Sequence, residues 1–168
     1  MIRVFDLDGG EILHLGESRT DEEYFVERKD DTITVDAVED ALYDVQDFVE
    51  VKLLVLGCGS RERNHIRLAV EEIFINICTY AYENGIGRAR ICCQISGDKA
   101  SVAIWFIDSG NPFNPLEYES DTSDTHFLEH EGGFGIHLVK NLMDKVEYEY
   151  KDGRNILLIE KTLSKDSA

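Results

Sequence analysis

Residues 131–144 read EGGFGIHLVKNLMD: three glycines in four positions run directly into an apolar pattern of helical period. Such a junction is either an ordinary turn before a helix or a helix start left open to an anion. Glycine lets backbone approach a ligand closely, and the free N–H groups and positive dipole end of a helix attract phosphate. The pattern is neither G-x-G-x-x-G in a strand-to-helix unit nor G-x-x-x-x-G-K-[ST], which removes the Rossmann and P-loop readings. The stretch predicts a helix beginning after Gly132, Gly133 and Gly135. It poses a question, because the chain carries a formal charge of -17.

Outward from that point the pattern is regular. Residues 146–163 predict a hairpin about Asp152 and Gly153, and residues 89–108 a second, nearly continuously apolar hairpin about Gly97 and Asp98. Residues 65–85 form an amphipathic helix with Ile66, Val70, Ile73 and Ile77 on one face, Ser60 or Asn64 as its N-cap, and Asn84-Gly85 at its end. Residues 38–54 place Val38, Leu42, Val45 and Val49 on one face of another helix, behind one or two strands in residues 24–37. Three helices and five or six grouped strands predict an α+β fold, a two-layer sandwich with helices covering a mixed, mainly antiparallel sheet. Residues 1–25 form a separate N-terminal extension, a hairpin or mobile arm around Asp8-Gly9-Gly10, and residues 164–168 a tail.

Composition narrows the partners. At 168 residues, with 43% hydrophobic and 10% aromatic residues, the chain is one folded domain. Asp and Glu outnumber Lys and Arg by 34 to 17, which argues against direct nucleic-acid binding and against an anionic membrane surface. There is no basic n-region with an apolar core at the start and no run of eighteen apolar residues, so a cytoplasmic protein is expected. Cys58, Cys78, Cys92 and Cys93 contain no C-x-x-C and read as reduced thiols. His126 and His130, four apart in a connector without helical period, lack a third ligand for a metal.

Two further signals carry chemistry. Glu72 and Asn76 lie four apart on one helix face: a carboxylate to activate a hydroxyl beside an amide that can give one oxygen to Mg²⁺. Asp108 ends the apolar strand VAIWFI and precedes Ser109-Gly110; it is a turn starter or an acceptor at a pocket floor for an exocyclic amino group.

Taken in order, LAVEEIFINICTYAY, IDSGNPFNP and GGFGIHLVKNLMDKVEYEYKDGRNILLIEK resemble the N-box, first glycine box and second glycine box with closing hairpin of the GHKL (Bergerat-fold) ATP-binding superfamily. Within it, the chain resembles the bacterial anti-sigma-factor serine/threonine kinases, over residues 26–163. The resemblance implies ATP and Mg²⁺ as cofactors, with Asn76 coordinating the metal that bridges the phosphates and Glu72 as general base. It implies Asp108 as acceptor for the adenine amino group, Gly110 making room for the ring, and Gly132, Gly133, Gly135 and the backbone of Ile136 holding the phosphates. Residues 116–131 would be the ATP lid. The implied activity is phosphorylation of a Ser or Thr on an anti-anti-sigma (STAS-type) protein, with sigma-factor binding as the other family activity and homodimerisation as a family trait.

Where the family commonly has basic lid residues, this stretch has six acids, two histidines and no Lys or Arg. Lys140, Arg88 and Arg90 are the cations that could compensate. The acidic lid suits an alternative, a non-catalytic, nucleotide-sensing protein-binding module of the same fold. A sensor histidine kinase catalytic domain is a third reading; no phosphoacceptor helix pair reads in the first 60 residues, and Glu72 stands where those domains often have Asn.

Overall fold

The computed structural model describes residues 3–5, 11–14, 24–83, 85–117 and 133–164. Two short strands, β1 (Arg3–Phe5) and β2 (Glu11–His14), pair antiparallel as a two-stranded sheet of their own. The remaining strands are β3 (Val26–Arg28), β4 (Thr32–Asp36), β5 (Arg88–Ile95), β6 (Ser101–Asp108), β7 (Lys145–Lys151) and β8 (Arg154–Thr162). They form one sheet in the order β3-β4-β5-β6-β8-β7. Among the described residues every pairing is antiparallel, within the mainly antiparallel sheet expected from the sequence.

Alternation decides which side of the sheet is covered. On β6, Val102, Ile104, Phe106 and Asp108 are buried while Ser101, Ala103, Trp105 and Ile107 are partly exposed. Ile33 and Val35 of β4, Ala89, Ile91 and Cys93 of β5, and Leu157 and Ile159 of β8 continue the inward set. Against this face pack three helices, α1 (Leu42–Val55), α2 (Ser60–Tyr80) and α3 (Gly133–Leu142). Burial of Ile66, Val70, Ile73 and Ile77 of α2 supplies the centre of the core, at about 1.5–3 kcal/mol for each large aliphatic side chain taken from water. The result is the two-layer α+β sandwich that the grouping of elements predicts.

Three helix boundaries differ from the sequence reading. The N-cap of α2 is Gly59, which makes no side-chain cap; its N–H donates to Ser164 O at 3.1 Å, so a contact remote in sequence sets the helix start. At the other end α2 stops at Tyr80, and Ala81 is the C-cap. Helix α3 begins at Gly133, so Gly133 and Gly135 lie inside its first turn instead of before it. Its far end is held by Lys161, whose Nζ donates to Leu142 O at 2.5 Å, a cation on the carbonyl end of the helix.

Candidate functional site

Helix α2, the C-terminal end of β6 and the first turn of α3 converge on one partly open cavity. Its apolar walls come from Ile73 and Ile77 of α2, Phe106 of β6, Ile136 of α3 and Leu157 of β8. Tyr80 and Phe113, stacked with ring centroids 5.9 Å apart, stand on another side. The polar groups are Asn76, Asp108, Asn111, Tyr148 and Asn155.

Asp108 is 6% exposed, at the end of a central strand. Its Oδ1 accepts hydrogen bonds from Gly110 N and Asn155 Nδ2, both at 2.9 Å. Among the described residues Oδ2 has no hydrogen-bond partner. Burial pushes the Asp108 carboxyl above the usual carboxylate range, while the hydrogen bonds from Asn155 and Gly110 pull the other way. One oxygen is thus fixed by the protein and the other is left as an acceptor at the cavity.

Asn155 is a site residue that the sequence reading missed. Its Nδ2 also donates to Asn111 O at 2.9 Å, and its Oδ1 accepts from Phe113 N at 3.1 Å and from Tyr148 Oη at 2.5 Å. One buried amide therefore ties β8, β7, Asp108 and the loop of residues 109–113 together. The available signal was phase: in the strand NILLIE, Asn155 alternates in step with Leu157 and Ile159, so it points inward where an apolar residue is the rule. Tyr82 was missed too. Its hydroxyl donates to Arg88 O at 2.6 Å and accepts from Ser109 N at 3.0 Å, fastening the loop after α2 to the same segment.

Glycine is required at Gly110 by the protein itself. A Cβ there would lie 2.2 Å from Ala81 O and 2.6 Å from Ala81 C, and Asn111 N donates to that same carbonyl at 2.9 Å. The place a side chain would take at Gly110 is held by Ala81, the C-cap of α2.

Asn76 lines the cavity, and among the described residues its amide makes no hydrogen bond. Glu72, one turn earlier, is half-buried beside the first turn of α3. Burial, then the charge of Glu71, raise its pKa above the ordinary glutamate value. Glu71 itself is turned to α1, where it accepts a hydrogen bond from Gln46 Nε2 at 3.4 Å. The pair Glu72 and Asn76 thus separates from the polar stripe that Glu71 belongs to. Gly135 and Ile136 lie on α3 over this end; Gly132, His126, His130 and the stretch of residues 118–131 fall outside the described residues.

The compensating cations are placed elsewhere. Arg88 and Arg90 are on the face of β5 opposite the helices, Arg88 lying 3.7 Å from the centroid of the Phe25 ring and pairing with Asp36 at 3.7 Å. Lys140 Nζ reaches Leu116 O at 3.4 Å. No group of three or more potential metal ligands occurs among the described residues, and none of their helices is long and apolar enough to cross a membrane.

Residues 35–161 match the family model described as a histidine kinase-like ATPase domain. Over 94 residues the chain is 33% identical to an anti-sigma F factor of Thermoanaerobacter sp., covering 55% of this chain and 64% of that protein. It is 24% identical over 119 residues to a serine-protein kinase RsbW of Bacillus mycoides, covering 64% and 73% of the two chains. The chain thus spans less than two thirds of the anti-sigma F factor. Among solved structures, the RsbU and RsbW domains of a Mycobacterium tuberculosis protein superpose with a TM-score of 0.59 at 18% identity, over 81% of this chain and 33% of that one. That likeness concerns the fold.

Proposed function

Because this chain belongs to the histidine kinase-like ATPase family, we propose that it is a cytoplasmic anti-sigma regulatory kinase, transferring phosphate from ATP to a Ser or Thr of an anti-anti-sigma (STAS-type) protein and holding a sigma factor. The observation that carries the reading is the cavity lined by both Asp108, whose Oδ2 is unpartnered among the described residues, and Asn76, whose amide is likewise unpartnered, with Glu72 one turn before Asn76 on α2. Relatives named serine-protein kinase favour a kinase over a non-catalytic module of the same fold.

In this reading Asp108 Oδ2 accepts a hydrogen bond from the exocyclic amino group of adenine, between the apolar walls. The backbone N–H groups of Gly133, Gly135 and Ile136, at the positive end of α3, face the phosphates. A single amide oxygen from Asn76 fits Mg²⁺, which keeps most of its positions for water and phosphate. When bound, the ion supplies charge neutralisation to the triphosphate. The substrate hydroxyl oxygen forms a bond to the γ-phosphorus as the bond to the bridging β–γ oxygen breaks; ADP leaves, and the hydroxyl proton passes to Glu72. Positioning does most of the work.

The open face of the sheet suits the homodimer. Arg90, Ile107, Ile156 and Glu149 share one register row, and Cys92, Trp105, Leu158 and Glu147 another. About a two-fold axis running along the strands between β6 and β8, Arg90 of one copy would meet Glu149 of the other while Ile107 meets Ile156. Light scattering reads this directly.

Calorimetry with ATP, with and without Mg²⁺, on the wild type and Asn76→Ala tests the site. Binding that depends on Mg²⁺ in the wild type and loses that dependence in the variant is expected; no binding by the wild type removes the nucleotide site. Radiolabel transfer to a STAS-type protein tests the reaction: Glu72→Ala should abolish it and keep ATP affinity within a few-fold. Undiminished transfer by that variant would refute the role of the carboxylate.

A further inference from the structure

The second glycine box holds a relation that spacing did not reveal. A Cβ built on Gly135 would lie 2.1 Å from Glu72 Oε2 and 3.1 Å from Glu72 Cδ, far inside ordinary contact. The carboxylate of Glu72 rests directly on the Cα of Gly135, in the space a side chain would take. Neither partner is loosely held. Next to Gly135, Ile136 is 2% exposed, and one turn on Val139 is fully buried, so α3 cannot withdraw from α2 without opening the core. On the α2 side, Ile73 and Phe74 are buried directly after Glu72.

We infer that Gly135 is a positioning residue for Glu72: its missing side chain is the seat that fixes the general base carboxylate against the first turn of α3. This rests on the proposed reaction and adds to it a reason for the glycine that does not involve phosphate. A methyl group at Gly135 must displace something, and the far end of Glu72 is the only flexible party among the atoms it would strike. Restoring an ordinary contact moves Oε2 by more than about 1 Å, and a misplacement of that size costs up to about 100-fold in rate. The seat also accounts for the burial behind the raised pKa of Glu72.

The experiment has a readout that needs no ligand. In the nucleotide-free protein, the side-chain carboxyl of Glu72 is titrated by ¹³C NMR in the wild type and in Gly135→Ala. The variant should keep its fold, lower the Glu72 midpoint toward the ordinary glutamate range and leave that of Glu71 in place. An unchanged Glu72 midpoint would overturn the inference. In transfer assays Gly135→Ala should lose about 100-fold while ATP affinity stays within a few-fold, and adding Glu72→Asp, which shortens the side chain by one methylene, should recover part of the loss. If instead Gly135→Ala weakens ATP binding as much as transfer and Glu72→Asp recovers nothing, the glycine serves the phosphate. A wild type that binds no ATP overturns the functional reading alone, because the titration still decides the seat.

Discussion

Replacing Asn155 by Asp changes one NH₂ to an oxygen in the most connected side chain of the site. The acceptor side of the amide, used by Phe113 N and Tyr148 Oη, is preserved. The donor side, which gives hydrogen bonds to Asp108 Oδ1 and Asn111 O at 2.9 Å each, becomes an acceptor facing acceptors. Two carboxylates at that distance would repel by about 6 kcal/mol at an effective dielectric constant of about 20, so the new group takes up a proton instead. In its neutral form its single O–H donates to Asp108, and only the bond to Asn111 O stays lost at every pH. The folded-state pKa of the new carboxyl is therefore raised above its unfolded value of about 3.9. A raised carboxyl contributes stability that is fully present below the unfolded pKa and lost as pH rises through the folded pKa. The loss is about 1.4 kcal/mol per pH unit, so the deficit of Asn155→Asp against wild type should grow from about 1.5 kcal/mol at pH 5 to about 4 kcal/mol at pH 7. Urea unfolding of both proteins at half-unit pH steps measures it. A deficit independent of pH would refute the assigned hydrogen-bond directions.

Asp108→Asn should weaken ATP binding by about 10- to 100-fold, the worth of a hydrogen bond to a charged acceptor, while raising the urea midpoint at neutral pH because a buried charge is removed. In the wild type, burial raises the Asp108 pKa, so ATP affinity measured by calorimetry should fall on acidification before an ordinary aspartate would titrate, and should not fall in Asp108→Asn. Transfer should rise with pH through the raised pKa of Glu72, since only the ionised carboxylate accepts a proton; a flat profile of single-turnover rate would count against it as base. Gly110→Ala drives a methyl into the backbone carbonyl of Ala81, which cannot rotate away, and should cost roughly 1–3 kcal/mol, or roughly 2–4 °C of Tm for each kcal/mol in a chain of this size.

Local periodicity carried the architecture. The alternation on β6 and the Ile66, Val70, Ile73, Ile77 stripe on α2 are each readable within one element, and both are buried as the pattern requires. The start of α2 was not readable, because it depends on Gly59 meeting Ser164 across the chain. Of the candidate site, Glu72, Asn76 and Asp108 were legible because each sits at a fixed place in its own element. Asn155 was not, because its significance lies in the register that sets it opposite Asp108, 47 residues away. The reasons for Gly110 and Gly135 were equally hidden: Ala81, the C-cap of α2, and Glu72, within α2, which forbid a side chain there, are remote in sequence.

The placement of Asp108 has a consequence for how binding would be distributed over time. Its strand is flanked on both sides by full-length neighbours, and its carboxylate is braced from β8 and, through Tyr148, from β7. Amides there should exchange with solvent only on global opening, whereas the first-turn N–H groups of α3, at the other end of the cavity, have no partner within the helix and should exchange from the folded state. A base would dock on a surface already in its final form, so recognising it carries little ordering cost. The cost falls at the phosphate end, where nucleotide should slow hydrogen exchange in α3 far more than in β6. Which nucleotide is chosen, and how tightly it is then held, would thus be decided by two parts of the molecule that differ in rigidity.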